Sequence, residues 1–403
     1  MILILVVGIC VFMLHSSNHE TILNEENDES YLAIYLEDEQ INYIPTKDSG
    51  YTLDLEKSSC NNGVELDFDY NTWTIKTNYS NYESTDNTRV KCSLYFRERT
   101  FAEAVVDCGS LSKNAGTCIT ENYYLTDEVV DDETLDHNLR FIGADPNNYV
   151  LYNDELWRII GVMNNIDDGT GAKETRLKII RNESIGEYSW DYNSDGTYDN
   201  DWTTSTLMNL LNNGAYYNRT TGSYYNGSTT ATDVDFSSNG LTSEAKSMIG
   251  NAIWNLGGLP TDAYNATYFY NSERGNDVYN NNSLKWIGNI GLMYVSDYAY
   301  ATNGGGNIFD YESCLSYNLG SQGWNSYDEC YLNDWLYNLN VLLRWTMTAT
   351  SSEWSYIYIN YDTSVSILQA QIPASVFPAA YLSTNVKITS GTGSSSDPFI
   401  LSL

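Results

Sequence analysis

The chain has 403 residues, with 53 Asp and Glu against 20 Lys and Arg, a formal net charge of −33 and 3 histidines. So strong an acidic excess excludes nucleic acid and anionic membrane surfaces as partners. So few histidines leave zinc, copper and histidine-based triads almost no raw material.

Met1 to Leu14 carry no charge. As a helix this segment reaches about 21 Å at ~1.5 Å per residue, short of the roughly 30 Å hydrocarbon core of a bilayer. It reads as a signal-peptide core, or as a signal-anchor over residues 1–15 once basic and apolar residues are added upstream. The expected location is extracellular, with the membrane reached only through this N-terminal anchor. Export lets cysteines pair. Residues 16–30, SSNHETILNEENDES, are acidic and without period and predict a solvated spacer.

Residues 31–100 predict a small β-rich stalk domain. YLAIYLEDEQ opens it, LDFDYNTWTIKTNY lies within it and RVKCSLYFRERTF closes it, each rich in aromatic and β-branched residues. A bridge between Cys60 and Cys92 would close a loop of about thirty residues and contribute roughly 3 to 4 kcal/mol. The pattern weakens over residues 101–136, a connector in which Cys108 and Cys118 bracket a small loop. Sequence nearness predicts the pairs Cys60 with Cys92, Cys108 with Cys118 and Cys314 with Cys330.

From residue 137 to 403 a second, larger domain follows. Tyr149 to Tyr152, a turn at Asn153 and Asp154, and Leu156 to Val162 predict a hairpin, and Arg176 to Arg181 a third strand. Thr204 or Ser205 caps a short helix through Leu211, and Thr242 caps a longer one. In the latter, Leu241, Ala245, Met248, Ile249, Ala252, Ile253 and Leu256 recur at helical spacing until Gly257 and Gly258. Short strands are expected at 290–295, 344–348, 355–359 and 378–382. Many loops on short strands describe an α+β domain with a recognition surface.

The run Leu139 to Tyr149, followed by Asn153 to Gly161 with its Trp157-Arg158-Ile159-Ile160 core, resembles a domain of unknown function in secreted and surface-anchored proteins of Gram-positive gut bacteria. Colinear matches follow at Tyr188 to Asp191, Leu207 to Asn212, Gly291 to Tyr298, Asn333 to Leu336, Trp345 to Thr348 and Tyr381 to Thr389. The resemblance implies a C-type-lectin-like or formylglycine-generating-enzyme-like fold used to display binding loops. The segment Tyr31 to Phe96 is similar to the unit that often precedes such domains behind a membrane anchor. Similar domains end in an Arg-Pro-Ala strand, whereas this chain has Phe377, Pro378 and Ala379. The related fold's oxidative chemistry relies on late reactive cysteines; here the late pair is expected to be bridged, so that activity is not carried over.

Asp191, Asn193 and Asp195, with Gly196, Thr197 and Asp199, repeat the opening of a calcium loop, in which alternate oxygens wrap a hard cation. Calcium is therefore the one cofactor expected, with the Thr197 carbonyl in the backbone-ligand place. Trp202 stands where an EF-hand has its bidentate glutamate, and a plain turn is the alternative. Paired carboxylates could hydrolyse glycosides, but 53 acidic residues do not select two. The expected function is non-enzymatic binding or adhesion to an extracellular glycan or protein. Tyr224, Tyr225, Tyr268, Tyr270 and Trp324 on long loops are the candidate ligand-binding residues. A structural component of an envelope or appendage is the competing reading.

Overall fold

Asn153 and Asp154 both adopt left-handed backbone (φ 60° and 63°). Two such residues match a hairpin turn to the natural strand twist, so Tyr149–Tyr152 and Glu155–Asp167 pair antiparallel, as expected. The Lys173–Arg181 strand pairs on the other side. The computed structural model describes residues 11–12, 31–46, 49–69, 72–82, 90–103, 129–131, 134–260, 264–306, 308–320, 323–337, 342–361 and 363–403.

The protein is α+β, with several sheets and few, short helices. Its largest sheet runs in the order Ile290–Gly291, Ala379–Tyr381, Lys173–Arg181, Glu155–Asp167, Tyr149–Tyr152, Phe399–Ser402 and Lys387–Ser390. Leu139–Phe141 pairs with the Glu155–Asp167 strand off this path. Trp157 through Met163 are buried without a break. Such a run, in place of period-two alternation, marks a strand covered on both faces.

Gly161 lies at a register irregularity in that strand. A Cβ there would come within 2.2 Å of the Leu139 carbonyl oxygen, so glycine is what allows Leu139–Phe141 to approach and sets Arg140 opposite Gly161. A second sheet, Glu187–Tyr188, Ala374–Ser375, Leu343–Ala349, Tyr356–Tyr361 and Ser364–Gln369, shares the same core through Trp190, Trp345 and Tyr358.

The long helix expected from Leu241 to Leu256 is two elements. Thr242 does cap a helix, accepting from the Ala245 amide at 3.0 Å, but the helix covers only Ser243–Met248. The chain is then captured by the sheet: Ser383 donates to the Met248 carbonyl (2.8 Å) and Gly250 donates to that of Tyr381 (3.0 Å). Ala252–Asn255 continues as a strand against Lys285–Gly288. In so short an apolar run the two periods coincide, and tertiary pairing decides. Likewise only Ile290–Gly291 of the expected 290–295 strand is extended, since Val295–Ala299 is helical.

The N-terminal region has its own apolar cluster of Ile34, Leu53, Ile75, Leu94 and Phe96. Cys60 and Cys92 are cross-strand partners and are bridged; Cys314 and Cys330 are bridged as well. Cys108, Cys118 and the 16–30 spacer lie outside the described residues. So does the 1–15 segment, apart from Val11–Phe12, which pairs with Thr74–Asn78. Among the described residues no helix is long and apolar enough to cross a membrane.

Candidate ligand-binding cavity

Three of the aromatic residues expected on the ligand surface are inside the protein. The Tyr224 hydroxyl donates to the Ser189 carbonyl at 2.6 Å, and its ring is 4% exposed. Trp324 is fully buried beside the Tyr298 ring. Tyr270 is buried too, its hydroxyl donating to Asp136 and accepting from Asn138 Nδ2 at 2.9 Å. These positions correct the expectation of solvent-facing rings: the loops fold down onto the sheets, and large rings fill the space beneath them. Tyr225 is half-buried. Tyr268 is exposed and stacks on Tyr264 with ring centroids 4.0 Å apart.

The candidate calcium ligands sit in one loop, and their oxygens are engaged. Asp191 is buried and accepts from the Thr206 and Asp199 amides, each at 2.9 Å. Asp195 accepts from the Thr197 amide and hydroxyl (3.0 and 2.6 Å). The Thr197 carbonyl accepts from the Asn193 amide at 2.8 Å, and Asp199 accepts from the Asp201 amide at 2.9 Å. Burial pushes the Asp191 carboxyl up to about 6. Among the described residues no three His, Cys, Asp or Glu side chains gather as a metal ligand set.

Polar side chains converge elsewhere, beside the far end of the Glu155–Asp167 and Lys173–Arg181 hairpin. A register shift between Met163 and Ile166 bends that end, with Asn165 left-handed (φ 59°). The bend is strapped to the 136–138 segment. Asn138 accepts from the Asn164 amide at 2.8 Å, Asn164 Nδ2 donates to the His137 carbonyl at 2.7 Å, and Asn165 Nδ2 donates to Asp136 at 3.0 Å. The Ala252–Asn255 and Lys285–Gly288 ribbon lies alongside and ends on the cross-strand pair Asn255 and Lys285. The Ala266–Glu273 helix contributes Arg274 at its C-terminal cap, with Nε 3.3 Å from an Asp136 oxygen and its guanidinium centre 3.4 Å from the Tyr270 ring centroid.

These elements enclose a cavity of about 150 Å³ lined by residues that include Asp136, Asn138, Lys173, Asn255, Arg274, Lys285 and Tyr381. That is smaller than the roughly 300–1,000 Å³ of clefts that take a drug-sized ligand. It suits one sugar ring or one side chain. Lys173 and Lys285 are exposed and form no ion pair among the described residues; the Tyr381 hydroxyl and the Asn255 side-chain amide have no hydrogen-bond partner among them, the Asn255 carbonyl accepting from the Tyr294 hydroxyl.

Beneath Tyr381 lies a buried charge network. Asp297 accepts from Arg140 at 2.7 Å, from Lys178 at 2.5 Å and from the Tyr294 amide at 2.8 Å. Lys178 Nζ also faces the Tyr294, Trp254 and Tyr381 rings at 4.2, 5.1 and 5.5 Å. Burial pulls the Lys178 ammonium down to about 8, against the opposing pull of Asp297. Burial also works against ionised Asp297, but the charges of Lys178 and Arg140 outweigh it and hold the carboxyl well below its ordinary range. Neighbouring Glu273 is fully buried and raised by burial, and it accepts from Ser296 and Thr348. The network fixes the strands and the helix that support the cavity floor, with Arg140 and Lys178 both paired to Asp297.

Comparison of the chain with protein-family models, curated proteins and solved structures finds no match. Arg274 stands within Glu273-Arg274-Gly275, a further colinear match of the family resemblance, but neither cavity lysine nor Asn255 was marked by a sequence motif. One signal was present: Lys178 stands within Leu177, Ile179 and Ile180 on a strand that is otherwise apolar, where a cation requires a buried partner.

Proposed function

We propose that this protein is a non-enzymatic binding protein, displayed outside the cell, whose cavity receives one residue of an extracellular glycan or protein. The observation that carries the reading is the cavity itself: amine, amide and hydroxyl groups without partners among the described residues, set on a floor fixed by the Arg140, Asp297 and Lys178 network. Rigid support for a few unsatisfied polar groups is what recognition requires. The exposed Tyr268 and Tyr264 pair offers an additional stacking surface.

The test uses the full chain on a glycan array and in pull-downs from host surface material, beside a variant filled at the cavity mouth, Asn255→Trp. Binding by the native chain and its loss in the filled variant are expected; equal binding by both would overturn the cavity assignment. A structural envelope component is favoured by a different observation: Tyr224, Tyr270 and Trp324 pack the loops together rather than presenting them. Under that reading neither form binds, and the chain instead co-assembles with envelope material.

A further inference from the structure

We propose that the ligand of this cavity is an acidic saccharide, held through a carboxylate on the sugar ring by Lys173 and Lys285. This rests on the cavity reading above and names its substrate class. In a chain of net charge −33, with only 20 Lys and Arg, an isolated cation is scarce. Most described cations are spent: Arg140 and Lys178 on Asp297, Arg158 on Asp145, Arg176 on Glu174, Arg181 on Glu155, Arg274 on Asp136. Lys173 and Lys285 have no such acid, and they line the same cavity although they come from two different β-ribbons.

The carboxylates beside them are occupied. Asp136 holds Arg274 and accepts from Tyr270. Asp167, the cross-strand neighbour of Lys173, accepts from the Gly169 and Gly171 amides at 2.8 and 3.1 Å within the hairpin loop. Three cations against two carboxylates leave the lining net positive, on a molecule whose net charge is strongly negative. Charge alone would also admit an acidic peptide. The rest of the lining favours sugar, because the Asn255 amide donates and accepts at once, as vicinal hydroxyls require, and the Tyr381 hydroxyl does the same. The volume, about 150 Å³, fits one ring.

The full chain should be titrated with a short oligogalacturonate, its methyl ester and oligoglutamate, at low and high salt. The variants are Lys173→Gln with Lys285→Gln, the same pair changed to Glu, and Asn255→Trp. Both lysines are exposed, so folding is expected to survive, and circular dichroism checks it. The oligogalacturonate should bind, weaken with salt, and lose about tenfold or more in affinity in the Gln pair and still more in the Glu pair. The methyl ester and oligoglutamate should bind at least as weakly as the oligogalacturonate does to the Gln pair. Equal binding of acid and ester, blocked by Asn255→Trp but unaffected by charge removal, would overturn the acidic class and leave the cavity standing. Binding of oligoglutamate as tight as that of the sugar acid would overturn the saccharide assignment. Binding of the sugars unchanged by every variant, or absent altogether, would overturn cavity and class together.

Discussion

Replacing Asp297 with asparagine removes the one anion shared by two buried cations. Arg140, Lys178 and Asp297 are each 1–2% exposed, so water cannot take over the lost charge. Removing one partner of a buried pair typically costs about 3–5 kcal/mol, because the surviving charge stays uncompensated. Here two charges survive, which places Asp297→Asn at the upper end of that range. Lys178→Met should cost less, since Asp297 keeps Arg140. The cost should also depend on pH. Asp297 has a depressed carboxyl, so its contribution is present above the unfolded value near 4 and is lost as pH falls through the folded value. Lys178 is lowered to about 8 in the native protein and falls further without Asp297. The variant then begins to gain stability with rising pH earlier than the native chain. The difference between the two should therefore be largest just above about pH 4 and should narrow before about pH 8, once Lys178 of the variant begins to lose its proton. Urea unfolding followed by tryptophan fluorescence measures it, with Trp254 5.1 Å from the Lys178 ammonium. A loss below about 1 kcal/mol at pH 6 would refute the reasoning, because surface pairs give that much.

Serine substitution of Cys60 and Cys92, 32 residues apart, should cost about 4 kcal/mol by loop-closure entropy, and that of Cys314 and Cys330, 16 apart, about 3, read as shifts in unfolding midpoint under oxidising conditions. Tyr270→Ala should destabilise by about 3–5 kcal/mol, whereas exposed Tyr268→Ala should cost under about 1 by the same assay. Asp191, raised to about 6, binds more protons folded than unfolded between about pH 4 and 6. Stability should fall as pH rises through that window, and Asp191→Asn should flatten the slope. Because the loop carboxylates already accept from backbone amides, millimolar calcium is expected to leave the melting temperature unchanged; a rise of several degrees would establish a cation site.

The hairpin at 149–167 was legible because a β-branched run flanks an Asn-Asp turn and no competing pattern fits. The caps at Ser205 and Thr242 were legible for a similar local reason, since each side chain satisfies an amide three residues on. The strand at 252–255 was not, because its pairing partner lies 30 residues away and the helical period also fits. Tyrosine gave no guide to exposure: its ring is stabilised by burial and its hydroxyl by water, so Tyr224 and Tyr268 look alike in sequence and differ in place. The cavity was illegible for a further reason. Asp136, Lys173, Asn255 and Lys285 belong to separate elements, and only the bend at Asn165 and the ribbon at 252–288 bring them together.

The cavity between the bent hairpin, the 252–288 ribbon and Arg274 is the proposed ligand seat. A crystal structure of the full chain grown with a short oligogalacturonate tests it most directly. A sugar carboxylate is expected within hydrogen-bond reach of Lys173 and Lys285, with its ring over Tyr381. A sugar found instead on the Tyr264 and Tyr268 pair, with the cavity empty, would contradict it.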